Sequence, residues 1–225
     1  MTSVLVDFEK RVSEIEMYFS LIENIGEKDA KIYFPNNIRK KIQPHNIELI
    51  KVLKANSFLL LYNLCESSIK QSLNEIYDSI SAEKPKYSEV IDEIKKIWLV
   101  EKHKNFKNIA VDNIFTAINN LSEEIIEIKF SDKIISGNID GLKIKNFSNK
   151  HGFSSKVHKN AKDGNKLHLV KVQRNNLAHG IVSFAECGRN FTITELKEIK
   201  HQVIMYLRTI LKNIEKYLLE KKYIK

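Results

Sequence analysis

Leu53-Lys-Ala-Asn-Ser-Phe-Leu-Leu-Leu-Tyr-Asn-Leu-Cys-Glu-Ser-Ser-Ile-Lys-Gln-Ser-Leu-Asn-Glu-Ile-Tyr-Asp-Ser-Ile80 is apolar on most of the circumference of a helix. A helix with so narrow a polar strip cannot lie on a surface, so it belongs at the centre of a bundle with other helices packed round it. Pro44 suits the first turn of this helix, which is expected from about His45 to Ser79. On its N-terminal side, Val4, Phe8, Val12, Ile15, Phe19 and Ile22 recur at three- and four-residue steps. They predict an amphipathic helix that Gly26 ends, followed by a connector, Ile32-Tyr-Phe-Pro-Asn-Asn-Ile38. On the C-terminal side, a third helix is expected over about Ser88–His103 and a fourth over about Val111–Ile128.

From Phe130 to Lys166 the periodicity breaks up. Ser136-Gly-Asn-Ile-Asp140 reads as a turn, Gly141 to His151 as a short helix stopped by Gly152, and Asn160 to Lys166 as a polar loop. Leu167 to His179 is helical again, with Gly180 suited to the left-handed residue just past its end. A linker runs on through Gly188. Thr192-Ile-Thr-Glu195 then forms a capping box, with Phe191 and Leu196 as its hydrophobic staple. The last helix is expected from Ile193 to Lys222, buried along Ile199, Val203, Tyr206, Ile210, Ile214 and Tyr217. No strand alternation stands out, and the expected fold is an all-α bundle, a single domain over residues 1–225 with an irregular basic segment at about 130–166.

Three prolines and seven glycines among 225 residues leave few breakers, in keeping with long helices. Cys65 and Cys187 stand far apart without a CxxC, which argues against a disulfide framework or zinc site. No signal peptide is read at the start and no apolar run is long enough to span a bilayer, so a cytoplasmic protein without membrane contact is expected. The net charge is +9, and eleven Lys/Arg against three Asp between Lys129 and Arg174 account for +8 of it. Concentrated positive charge is what a polyanion-binding surface requires, because each neutralised phosphate releases counterions. RNA is the expected partner, held by Lys143, Lys145, Lys150, Lys166 and Lys171. Abundant lysine on a solvated surface is the plainer alternative.

That basic segment leads into Arg174-Asn-Asn-Leu-Ala-His-Gly180. Arginine grips phosphate through a planar fork of donors, and histidine takes or gives a proton near neutral pH. Over five residues a helix turns roughly 500°, which leaves Arg174 and His179 about 140° apart around the axis. They do not share a face, but a long arginine and a histidine on the last turn can reach one groove. Cleaving RNA without a metal needs a base for the 2′-hydroxyl, an acid for the 5′-oxygen and positive charge on the phosphate. One chain supplies one His179; two copies about a dimer axis supply two. Read alone, the pair equally fits an ordinary helix-end histidine beside a surface arginine. The adjacent Asn175 and Asn176, poor helix formers, favour a polar function.

Arg174-Asn-Asn-Leu-Ala-His-Gly180 resembles the R-x(4–6)-H signature of the HEPN superfamily (higher eukaryotes and prokaryotes nucleotide-binding domains). Asp7-Phe-Glu-Lys-Arg-Val-Ser-Glu-Ile-Glu16, Phe58-Leu-Leu-Leu-Tyr-Asn-Leu-Cys-Glu66, Ser136-Gly-Asn-Ile-Asp140 and Ile181-Val-Ser-Phe-Ala-Glu-Cys-Gly188 are similar to its MAE-type bacterial branch. The resemblance implies a helical bundle that homodimerises and a metal-independent endoribonuclease without cofactor, of toxin–antitoxin or antiviral-defence systems, with an antitoxin or defence-system partner protein. It places Arg174 and His179 at the catalytic positions and Asn175 at the polar position beside the arginine. Asn176, the second polar residue of that turn, is expected from its own chemistry to play a supporting role. Toxins of this superfamily often carry a nucleotidylated tyrosine two residues after the histidine. Here Ile181 stands there, so silencing by that modification is not expected.

Glu66, on the central helix, could pair with Arg174 and hold it, or be a surface residue pairing with Lys70. His151, His158 and His168 match no zinc spacing and are expected to be solvent-exposed or RNA-contacting. Trp98 and the tyrosines are expected in the core or a dimer interface. Nothing marks Cys187 as a nucleophile. The alternative to the nuclease is a non-catalytic RNA- or nucleotide-binding module that partners a separate effector. A DNA-binding regulator would need a recognition helix, and none is evident.

Overall fold

With neither glycine nor proline to break it, the central helix α2 runs from Ile47 to Glu83, 37 residues, and stops where Lys84 takes a positive φ of 49° ahead of Pro85. It belongs to a computed structural model that describes residues 3–27, 47–103, 120–131, 135 and 138–225. The other helices are α1 (Ser3–Gly26), α3 (Asp92–His103), α4 (Gly141–His151), α5 (Asn165–Ala178), α6 (Phe184–Arg189) and α7 (Ile193–Leu219). Among the described residues there is no strand beyond two isolated bridges, so the fold is all-α, with the long central and C-terminal helices expected from the sequence. No described helix is long and apolar enough to cross a membrane.

The apolar circumference of α2 is covered on several sides. α1, α5, α6 and α7 all pack against it, burying Phe58, Leu61, Tyr62, Leu64, Cys65, Ile69, Leu73, Ile76, Tyr77 and Ile80. Each large apolar side chain taken from water contributes about 1.5–3 kcal/mol, which makes this helix a major source of stability. The Tyr18 hydroxyl donates to the Leu53 carbonyl at 2.7 Å, and Gln71 donates to Asp7 at 3.1 Å, so α1 and α2 are antiparallel. Glu23–Lys197 (3.2 Å), Glu16–Lys200 and Glu9–Arg208 (2.6 Å) likewise run α1 antiparallel to α7. α2 and α7 therefore point the same way.

Several boundaries differ from the expectation. The connector Ile32–Ile38, the Pro44 helix start and residues 111–119 of the expected fourth helix lie outside the described residues. Residues 120–128 are not helical: a 3-10 turn, Leu121–Glu123, leads into extended chain. There Tyr87 N–H donates to Glu124 O (2.7 Å) and Ile126 N–H to Pro85 O (2.8 Å). Ile126 and Ile128 are buried while Ile125 is exposed, a period of two that suits β-branched residues in extended backbone. The third helix starts at Asp92, because Tyr87–Glu89 forms a separate 3-10 turn. The polar loop 160–166 holds another, Lys159–Gly164, and α7 stops at Leu219 rather than Lys222.

His151 departs furthest from expectation. It is fully buried rather than exposed, packed among Tyr77, Phe147 and Phe153. Its Nδ1–H faces the Phe147 carbonyl at 2.8 Å, and its Nε2 lies 3.3 Å from the Tyr77 hydroxyl. Burial lowers its pKa from 6.5 to about 4, with Lys150 adding to the effect and the Phe147 carbonyl opposing it. Since the folded value lies below the unfolded one, the stability held by the neutral ring is fully present above pH 6.5 and drains away as pH falls towards 4. The loss approaches about 3 kcal/mol. Urea unfolding at pH 7.5 and at pH 4 should show this loss in the wild type and a smaller one in His151→Gln; equal losses would rule the residue out as its source.

Candidate active site on the helix α5

Helix α5 buries Leu167, Val170 and Leu177, and this anchoring decides which residues of the motif stay accessible. Arg174, Asn175 and Asn176 are half-buried, and His179 is exposed. His179 is the cap residue, its N–H donating to Asn175 O at 3.0 Å. Gly180 follows with a φ of +66°. Gly180 N–H reaches Leu177 O at 3.2 Å and Ile181 N–H reaches Asn176 O at 2.9 Å, a Schellman closure that fixes the backbone holding the histidine.

Arg174 is held from several directions. Its guanidinium carbon lies 4.4 Å over the ring of Tyr62. Its Nη1 donates to Asn175 Oδ1 at 3.0 Å, and its Nη2 is 4.0 Å from Glu66 Oε2. Glu66 thus stands beside the arginine, as its place on the central helix allowed. Asn175 in turn donates through Nδ2 to Asn138 Oδ1 at 2.9 Å. Tyr62 is 1% exposed, and its hydroxyl accepts the Ile139 N–H at 3.2 Å. Burial pushes the Tyr62 hydroxyl above its ordinary pKa, partly offset by the Ile139 N–H, so it stays a neutral ring beneath the cation.

The segment 138–140 is itself locked. Asp140 caps α4, accepting from Lys143 N–H at 3.0 Å, and takes Lys171 Nζ and His168 Nδ1 (3.4 Å) on its other oxygen. Burial opposes its charge, but the hydrogen bonds from Lys171, Lys143 N–H and His168 prevail and hold the carboxyl below its ordinary pKa. Tyr62, Asn138 and Asp140 were not singled out as site residues. Tyr62 lies near the middle of α2, 112 residues before Arg174, so only packing brings them together.

The lysines expected to bind RNA are scattered. Lys145 and Lys150 are exposed on α4, which packs on α3 and α5; Lys143 lies 5.5 Å over the Phe147 ring. Lys166 is partly exposed at the start of α5, and Lys171 is turned onto Asp140, its side chain 18% exposed. Asn176 contributes its backbone carbonyl to the helix closure. His158 and His168 are exposed, as expected. Cys187 is buried, and burial raises its thiol pKa, against any role as a nucleophile. It lies on α6, a helix absent from the sequence reading, although Ser183-Phe-Ala-Glu186 carries a full capping box of the kind recognised at Thr192.

The fold is that of an all-α helical domain, and the model of the MAE_28990-like HEPN family matches residues 1–223, so the chain belongs to that family. HEPN domains are commonly ribonucleases that bind RNA and often dimerise. No curated protein and no solved structure matches the chain.

The Tyr62 platform is open to a direct test. Tyr62→Phe keeps the ring under Arg174 and leaves the Ile139 N–H without its acceptor, so it should cost about 1–3 kcal/mol of stability. Tyr62→Leu removes the ring and should cut any Arg174-dependent RNA cleavage or binding roughly tenfold beyond Tyr62→Phe, the equivalent of about 1.4 kcal/mol. Equal function in the two variants would show that the ring does not position the arginine.

Proposed function

We propose that this protein is a metal-independent endoribonuclease whose active site is completed across a homodimer, acting as a toxin or antiviral-defence effector in the cytoplasm. The observation that carries the reading is Arg174 stacked on buried Tyr62 and flanked by Glu66 and Asn175, on the same helix end as an exposed His179. A cation fixed by packing rather than left on a mobile stem suits a phosphate whose charge grows in the transition state.

In the reaction, His179 of one protomer removes the proton of the 2′-hydroxyl. The 2′-oxygen attacks phosphorus, and the bond from phosphorus to the 5′-oxygen breaks. His179 of the other protomer donates its proton to the departing 5′-oxygen. Arg174 stabilises the phosphorane, while Asn175 and Glu66 keep its guanidinium in place and Asn176 supports that turn. The products carry a 2′,3′-cyclic phosphate and a 5′-hydroxyl. Lys143, Lys145, Lys150 and Lys166 attract the RNA backbone, and an antitoxin or defence-system protein is the partner that restrains the enzyme. Ile181 and Leu142, 68% and 69% exposed, stand two residues from His179 and Asp140 and suit a dimer face.

The test is cleavage of end-labelled total RNA in EDTA, with product ends mapped, alongside the oligomeric state by sedimentation. Wild-type cleavage leaving cyclic phosphates is expected; RNA binding without cleavage by wild type would favour the non-catalytic module instead.

A further inference from the structure

Glu66 has two neighbourhoods. On one side its carboxylate meets Arg174; on the other it lines a cavity of about 380 Å³ between α1 and α2, with Arg11, Asn63, Ser67 and Lys70. Arg11 and Lys70 are cations contributed by two different helices to one concave surface. Arg11 is oriented: its Nε donates to Asp7 at 2.8 Å, using one of the five donors of the fork, and Asp7 is steadied by Gln71 at 3.1 Å. Asn63 is exposed beside them and offers both donor and acceptor. Lys70 follows Glu66 by one turn of α2, a rise of about 6 Å, so the two cationic positions flank a carboxylate that Arg174 already partners. Neither Arg11 nor Lys70 belongs to the basic segment that dominates the sequence.

We propose that this groove is a second phosphate-binding station for single-stranded RNA, taking a phosphate next to the one that Arg174 contacts. It rests on the ribonuclease reading. The crevice continues past Lys70 into a wider cavity of about 780 Å³, where Glu75 and Asp78 supply carboxylates and no arginine is among the described lining residues. Those repel a polyanion, so the track ends after this station and the strand turns out to solvent.

The experiment uses the full chain carrying His179→Ala, so that RNA is bound and not cut. A fluorescent single-stranded oligoribonucleotide is titrated by anisotropy across a salt series. Adding Arg11→Gln and Lys70→Gln should raise Kd roughly tenfold at low salt and flatten the slope of log K against log salt by about 1.4, the value for two single-strand phosphate contacts. Asn63→Asp, which keeps both cations and adds a negative charge to the groove, should weaken binding as well. The comparison is Lys221→Gln with Lys222→Gln, the same charge change beside Glu83, about 20 Å along α2 from Lys70. If the groove variants behave like that pair while Arg174→Ala still weakens binding, the station is wrong and the ribonuclease reading stands. If the His179→Ala parent itself binds no RNA, both fall together.

Discussion

His179→Ala should reduce RNA cleavage roughly 10⁴-fold while leaving the fold intact, because on the proposed mechanism it removes the base and the acid of a symmetric site at once. The side chain is exposed and ends α5 through backbone bonds that alanine can also make, so circular dichroism and the melting temperature should stay at wild-type values. Arg174→Lys is the companion. It keeps a positive charge but loses the planar fork that stacks on Tyr62 and reaches Asn175, and cleavage should fall roughly 100-fold. Both rates are read from the same end-labelled RNA in EDTA. Cleavage by His179→Ala at the wild-type rate would remove the histidine from the chemistry and trace the activity to another group or a contaminant.

Gly188→Ala should be among the most destabilising single changes in the chain. A Cβ at this position would lie 1.8 Å from the Lys51 carbonyl oxygen and 2.6 Å from its carbon, backbone atoms of the central helix that cannot swing aside. Helix α6 would have to lift off α2, exposing Cys187 and loosening its contact with Gln173, the neighbour of Arg174. The expected cost is roughly 3 kcal/mol or more, as for other overpacked sites. For a chain of this size that corresponds to a drop in Tm of roughly 10 °C. A melting curve superimposable on the wild type would show that α6 does not need this approach. Residual cleavage by the variant at low temperature would separate loss of fold from loss of chemistry.

The long helices were readable because their signals are periodic or chemically specific. The three- and four-residue steps from Val4 to Ile22 lie on the buried face of α1, and the Thr192–Glu195 box forms with both of its bonds, at 2.7 and 3.1 Å. Gly180 adopts its left-handed conformation for the same reason it was singled out: the residue closing a helix needs a positive φ. Of the candidate site, Arg174, Asn175 and Glu66 are placed together, as the motif and the position of Glu66 on the central helix suggested.

Local pattern could not show what depends on distant partners. Residues 124–128 carry helix-compatible glutamates and isoleucines, yet they lie extended because the backbone at 85–87 offers hydrogen bonds there. His151 reads as one more polar residue in a lysine-rich stretch, and only the packing of Tyr77, Phe147 and Phe153 makes it a neutral core group. The sequence by itself determined the long helices and put a guanidinium and an imidazole at the end of α5, since both follow from side-chain type and spacing along one chain. The tertiary structure decided that Arg174 would rest on Tyr62, that Asn138 would hold Asn175 and that Lys171 would turn to Asp140. Those contacts join residues 31 to 112 positions apart, and burial and hydrogen-bond satisfaction select them only once α2, α4 and α5 have packed.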